Sequence, residues 1–235
     1  MENEITSRKK TARLAGLLYL AWIIIGLYSM LYVSSKIMVK GDVVATTNNI
    51  LANEFVFRTG IVADLIDSTI WVVMALVFYR LFKQVNEHQA KILVALVIVQ
   101  IPVTFIGGAF NIASLMIAKG EILKTFELSQ RQDLAMTFLK INDYITLTLE
   151  MYWGLWLFPL ATLVYRSLFL PRFLGIWLII CGIAYLVLSL TALLLPQYNN
   201  VVFYFAIPAF LGELALMLWL LIMGAKNNIP AIGMQ

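Results

Sequence analysis

The sequence predicts an all-α membrane protein, a six-transmembrane-helix bundle, and three observations carry that prediction. Of 235 residues, 62% are hydrophobic and only 13% charged, far from the balance of a soluble globular domain. The apolar residues gather into six runs, at about 13–35, 59–82, 91–117, 142–166, 172–195 and 202–225, each longer than the ~20 residues that cross a ~30 Å hydrocarbon core as an α-helix. Within the runs Leu, Ile and Ala fall on every face, whereas the strands of a membrane β-barrel alternate apolar and polar residues over short segments. With so little chain between the runs, residues 1–235 read as a single polytopic membrane domain.

Each element has its own justification. The first run follows a basic prelude of Arg8, Lys9, Lys10 and Arg13, and its apolar stretch Leu14–Val33 outlasts a secretory h-region with no small-x-small cleavage site after it, so a retained helix is expected. In the next connection Asp42 can cap a helix whose apolar side is Val43, Ile50, Leu51, Phe55 and Val56, which predicts a short helix lying at the outer interface. The second run ends in Tyr79-Arg80, and the third contains Pro102 with Gly107-Gly108 shortly after it. Before the fourth run, Ser129 and Gln132 form a capping-box pattern, so a helix is expected to begin near Gln130 and pass through Phe138. The fourth run holds Pro159 and ends in Tyr165-Arg166, the fifth opens at Arg172 and holds the single cysteine, Cys181, and the sixth holds Pro208. A lone cysteine supports neither a disulfide framework nor a cysteine metal site. Each internal proline frees a carbonyl one turn earlier and allows a kink. Pro208 stands five residues before Glu213, so a loosened turn there would present backbone oxygens beside that carboxylate, as in interrupted transporter helices.

Orientation follows from the cations between the runs. With the N-terminus inside, one side holds Arg8, Lys9, Lys10, Arg13, Arg80, Lys83, Lys91, Arg166, Arg172 and Lys226, the other Lys36, Lys40, Arg58, Lys119, Lys124, Arg131 and Lys140. Ten against seven favours both termini in the cytoplasm. Cations beside anionic headgroups account for the net charge of +4 and call for no nucleic-acid partner, leaving the lipid bilayer as the evident one.

Five carboxylates in or beside the runs point to function: Asp64, Asp67, Asp143, Glu150 and Glu213. An acid at the centre of a bilayer helix costs roughly 2.5 to 3.5 kcal/mol on insertion scales, so such groups are rare and usually face a bundle interior or a watery cavity. Asp64 and Asp67 lie 16 and 13 positions from Arg80, Glu150 lies 16 from Arg166, and Glu213 lies 13 from Lys226. At 1.5 Å per residue these four belong to one layer ~20 to 24 Å from the inner boundary, with Asp143 about two turns nearer the outside. Four unpaired charges at that depth would cost on the order of 10 kcal/mol, as much as a typical domain's stability. Protonation, pairing with Arg58, water in a cavity or a bound cation would compensate. The layer therefore suggests an outward-facing acidic cavity that binds or conducts protons or small cations. Asp64, Asp67, Glu150 and Glu213 would be its ligands, Asp143 and Arg58 its mouth, and Ser29, Thr104 and Asn111 supporting polar groups. No other cofactor is expected.

Two other readings compete. In the first, the chain is a non-catalytic partner or sensor subunit whose buried acids hydrogen-bond between helices and fix packing. In the second, Asp64-Leu-Ile-Asp67 is a D-x-x-D pair holding Mg²⁺ for transfer of a lipid phosphate. The only histidine, His88, lies in a polar connection, and neither HExxH nor GxSxG occurs, so a histidine zinc site, a bis-histidine haem and a serine-hydrolase elbow are all excluded. No catalytic residue is assigned.

A resemblance runs along most of the chain. Arg13-Leu-Ala-Gly-Leu-Leu-Tyr19, Phe57-Arg58 with Asp64, Gly154-Leu-Trp156, Val164-Tyr-Arg-Ser167, Pro171-Arg172, Gly175, Gly182, Tyr185, Gly212-Glu-Leu214 and Trp219-Leu-Leu221 together resemble the bacterial membrane family catalogued as domain of unknown function 4386. The resemblance implies a multi-helix protein of the bacterial cytoplasmic membrane, with Glu213 and Arg58 at recurrent positions, and implies no activity. Met223 and Pro159 depart from the family pattern.

Overall fold

Every described residue run long and apolar enough to cross a bilayer is helical. The computed structural model describes residues 2–226, and among them there is no strand. In chain order the helices are α1 (Glu2–Leu27), α2 (Ser34–Ile37), α3 (Val43–Ala52), α4 (Glu54–Phe82), α5 (Glu87–Ile98), α6 (Ile101–Lys119), α7 (Leu128–Leu155), α8 (Leu157–Arg166), α9 (Arg172–Leu194) and α10 (Asn199–Ile222). A π-helical turn, Tyr28–Val33, joins α1 to α2, and a 3₁₀ turn, Pro196–Tyr198, leads into α10. Six spans result: Thr6–Ile37, Glu54–Phe82, Glu87–Lys119, Leu128–Arg166, Arg172–Leu194 and Pro196–Ile222.

Backbone chemistry explains the breaks. Pro102 and Pro159 lack the N–H that would bond the carbonyls of Ile98 and Leu155, and those are the last residues of α5 and α7, so each helix stops one turn ahead of its proline. Pro208 behaves differently: α10 continues through it. Its own carbonyl accepts the indole N–H of Trp177 at 3.1 Å, and no interrupted turn opens beside Glu213. That corrects the expectation of backbone oxygens there.

Local caps match the sequence at one of the two long connections and shift it at the other. Asp42 Oδ1 accepts the Ala45 N–H at 2.8 Å and starts α3, burying Thr46, Thr47 and Ile50 while Val44, Leu51 and Phe55 stay exposed. At α7 the side chain of Gln130 accepts the Glu127 N–H at 2.9 Å, so the helix begins at Leu128, two residues ahead of the expected start. Leu123 and Gly120, with φ of 54° and 69°, turn the preceding connection so that the earlier start is reached.

The described residues form two compact units, 2–21, 70–100 and 147–226 in one and 22–69 and 101–146 in the other. The first unit has an aromatic centre. Tyr19, Phe78, Phe82 and Trp156 are nearly wholly buried, with Tyr19 edge-on to Phe78 and Trp71 edge-on to Trp156. Its helices approach closely at glycines. A Cβ on Gly16 of α1 would stand 2.5 Å from the Leu221 backbone of α10, and one on Gly154 of α7 would stand 2.7 Å from the Gly182 carbonyl of α9. Small residues at such crossings supply the backbone packing that holds helices together in lipid.

The second unit packs Val33, Ile37, Ile50, Phe57, Ile61, Leu115, Met136 and Leu139 into one cluster. Ser114 Oγ on α6 donates to the Ala135 carbonyl of α7 at 2.9 Å. At its edge Glu54 accepts from Arg58 Nε at 2.8 Å and from Lys119 Nζ at 3.2 Å.

Candidate functional site

In the second unit the acids of α4 meet α1 and the π turn that follows it. Asp64 and Asp67 are three residues apart, hence neighbours on one helical face, and each lies within electrostatic reach of the other. Both are half-buried. Asp64 is hydrogen-bonded by the Ser29 hydroxyl, and Ser29 sits inside the π turn. Such a turn widens the helix locally and recurs at functional positions. Beside it the hydroxyls of Tyr28 and Thr59 join α4 again at 2.7 Å.

The Trp22 indole N–H hydrogen-bonds the Asp67 carboxyl, while the buried Oδ1 itself is without a hydrogen bond. Gly26 of α1 stands next to that oxygen; a Cβ there would lie 3.9 Å from it. Thus one carboxylate oxygen faces a position where the opposing helix carries no side chain. Among the described residues no Lys, Arg or His forms an ion pair with Asp64, Asp67, Asp143, Glu150 or Glu213.

In the first unit the picture around Glu213 is the opposite. Glu213 is 7% exposed, and its carboxyl is ringed by donors. Tyr19 Oη of α1 donates to Oε2 at 2.5 Å, Cys181 Sγ of α9 donates to Oε1 at 3.6 Å, and the Tyr185 hydroxyl supplies a third hydrogen bond. Cys181 and Tyr185 are one helical turn apart, so α9 presents both on one face. Glu150, on α7, is half-buried, its Oε2 is buried without a hydrogen bond, and it lies within electrostatic reach of the Tyr185 hydroxyl.

The remaining sequence candidates scatter. Arg58 pairs with Glu54, one turn earlier on its own helix, and does not answer any of the five acids. Asp143 is exposed, with Lys140 as its nearest charged influence. Thr104 is half-buried and Asn111 buried on α6. Among the described residues no group of three or more His, Cys, Asp or Glu is placed to hold a metal ion.

Sequence reasoning missed Tyr19, Cys181 and Tyr185 as partners of Glu213, and Trp22 and Gly26 beside Asp67. The one-turn spacing of Cys181 and Tyr185 was visible, but no pattern in the chain said which helix would face them. Asp64, Asp67 and Ser29 were visible as intramembrane polar groups, and the structure brings those three together.

A polytopic, all-helical membrane protein is therefore the class that fold and composition define. Its chain matches the family described as Domain of unknown function (DUF4386) over residues 14–224. It belongs to that family. No curated protein and no solved structure matches it.

Proposed function

We propose that this is a protein of the bacterial cytoplasmic membrane, with both termini in the cytoplasm, that binds or conducts protons or small cations through an acidic cavity opening outward. The observation that carries the reading is the Asp64–Asp67 pair. Two carboxyls share one face, no cation among the described residues pairs with them, and the buried Oδ1 of Asp67 accepts no hydrogen bond beside the bare position of Gly26. Inside a membrane such an oxygen is costly until a proton or cation meets it. Ser29 is the neutral oxygen ligand of the pair; Glu150, in the first unit, keeps a buried oxygen of its own without a hydrogen bond. Asp143 and Arg58 belong to the entrance in this reading.

Glu213 takes a different part. With Tyr19, Cys181 and Tyr185 already donating to its carboxyl, it fastens α1, α9 and α10 together, the structural role that the partner-subunit alternative gives to every acid. The Mg²⁺ transferase alternative finds less support, since a metal holding a diphosphate calls for a richer ligand set than two carboxyls and a hydroxyl.

Purified protein in detergent and in liposomes tests the proposal. Na⁺, K⁺ or a change of pH should shift the thermal unfolding of the wild type, and the matching ion should enter liposomes carrying it. Both responses should be lost in Asp67→Asn. Gly26→Leu fills the space beside Oδ1 without altering charge and should weaken the response in the same way. Responses unchanged in both variants would reject the proposal, and stabilisation by Mg²⁺ alone would favour the transferase.

A further inference from the structure

We propose that the end of the first unit where α1 begins carries a site for a phosphate-bearing lipid headgroup. A cavity of about 480 Å³ opens there, lined by Thr6, Ser7, Lys10, Thr11, Leu14 and Arg80. Thr6 and Lys10 are four residues apart, as are Ser7 and Thr11, with Leu14 three further on, so one face of α1 supplies five of the six groups. Arg80 comes from the last turn of α4. Two cations and three hydroxyls surround the space, and among the described residues none of its lining groups is acidic.

Four other cations at this end are engaged elsewhere. Arg8 lies 5.2 Å from the centre of the Phe169 ring, Arg172 stacks on Tyr165 and Lys226 on Trp219, while Arg13 donates to the Ile222 carbonyl at 3.3 Å. Lys10 and Arg80 take part in no ion pair among the described residues. Thr11 donates to the Ser7 carbonyl at 2.9 Å, leaving its oxygen lone pairs to the cavity, while the Thr6 and Ser7 hydroxyls can donate to a phosphate oxygen. The guanidinium of Arg80 supplies a planar fork suited to two phosphate oxygens and the Lys10 ammonium a point charge.

Position identifies the source of the phosphate. Leu14 is 46% exposed and opens the first apolar run, and Arg80 closes the second. The cavity therefore stands where hydrocarbon gives way to headgroups, and Leu14 offers acyl chains an apolar floor. A lipid phosphate reaches such a place with its chains still in the bilayer, whereas a free phosphate brings no apolar part to use it.

The test uses the full chain in detergent, with unfolding followed by intrinsic fluorescence and bound lipid counted by native mass spectrometry. Phosphatidylglycerol should raise the unfolding temperature saturably and remain bound. At equal phosphate concentration, inorganic phosphate should do neither. Lys10→Gln with Arg80→Gln should weaken the lipid effect about thirtyfold, roughly fivefold for each cation lost at a headgroup. Ser7→Phe, which occupies the cavity without a change of charge, should also weaken it, and Lys40→Gln with Lys124→Gln should not. Both charge-removed positions are exposed, so folding is retained. An undiminished lipid effect in Lys10→Gln/Arg80→Gln and in Ser7→Phe overturns the site. A full shift with inorganic phosphate overturns its assignment to lipid.

Discussion

Glu213→Ala lowers the stability of the purified protein by about 3 to 5 kcal/mol, because it strands buried donors and leaves a void together. Tyr19 is 0% and Cys181 0% exposed, so neither can turn to water once the carboxyl is gone. Glu213→Gln is far milder, about 1 kcal/mol, within the range for a hydrogen bond between membrane helices. Its amide oxygen still accepts from Tyr19, and its N–H₂ can donate to the Tyr185 oxygen after that hydroxyl rotates. Tyr19→Phe removes the same bond from the other side at a comparable cost. Reversible unfolding in mixed micelles gives these differences, and a mild Glu213→Ala would contradict the lock.

Gly16→Ala has the second large effect, with the opposite expectation at Gly26 as its control. The new Cβ at 16 meets the Leu221 backbone at 2.5 Å and the Leu220 carbonyl carbon at 2.9 Å, and backbone cannot rotate away as a side chain can. Separating α1 from α10 costs about 1 to 3 kcal/mol by overpacking, or more where the helices cannot yield. At Gly26 a Cβ meets only Asp67 Oδ1, at 3.9 Å, so alanine fits and gains up to about 1 kcal/mol of helix propensity. The same unfolding assay compares them. A Gly16→Ala protein as stable as wild type would refute the close approach.

The two glycines show what the sequence could and could not tell. Six apolar runs establish six spans, since length and hydrophobicity alone decide whether a helix can cross a bilayer. The breaks at Pro102 and Pro159 follow from a missing N–H, and Asp42 announces α3 by its capping chemistry. Pro208 breaks the rule: its missing N–H frees the Tyr204 carbonyl, yet α10 continues through it. The start of α7 moved because Gln130 supplied the capping oxygen where Ser129 and Gln132 were the visible pattern.

The candidate site divides along the same line. Depth along a helix is a matter of counting residues, so the intramembrane acids stood out at once. Partnership depends on which faces meet, and in lipid nearly every face is apolar, so Tyr19 and Gly26 carry no periodic signal that aims them at Glu213 and Asp67. What distinguishes a fastened acid from an unmet one is the set of donors around it. Glu213 has three, while Asp67 and Glu150 each keep a buried oxygen with none.

That distinction is measured most directly at the carboxyl groups themselves. Infrared difference spectra of the purified protein, taken between cation-free and cation-loaded states and across steps of pH, report which carboxyls change. The proposal predicts a carboxyl signal that disappears in Asp64→Asn/Asp67→Asn and survives in Glu213→Gln. A signal that persists in the aspartate double variant, or that is carried by Glu213, would contradict it.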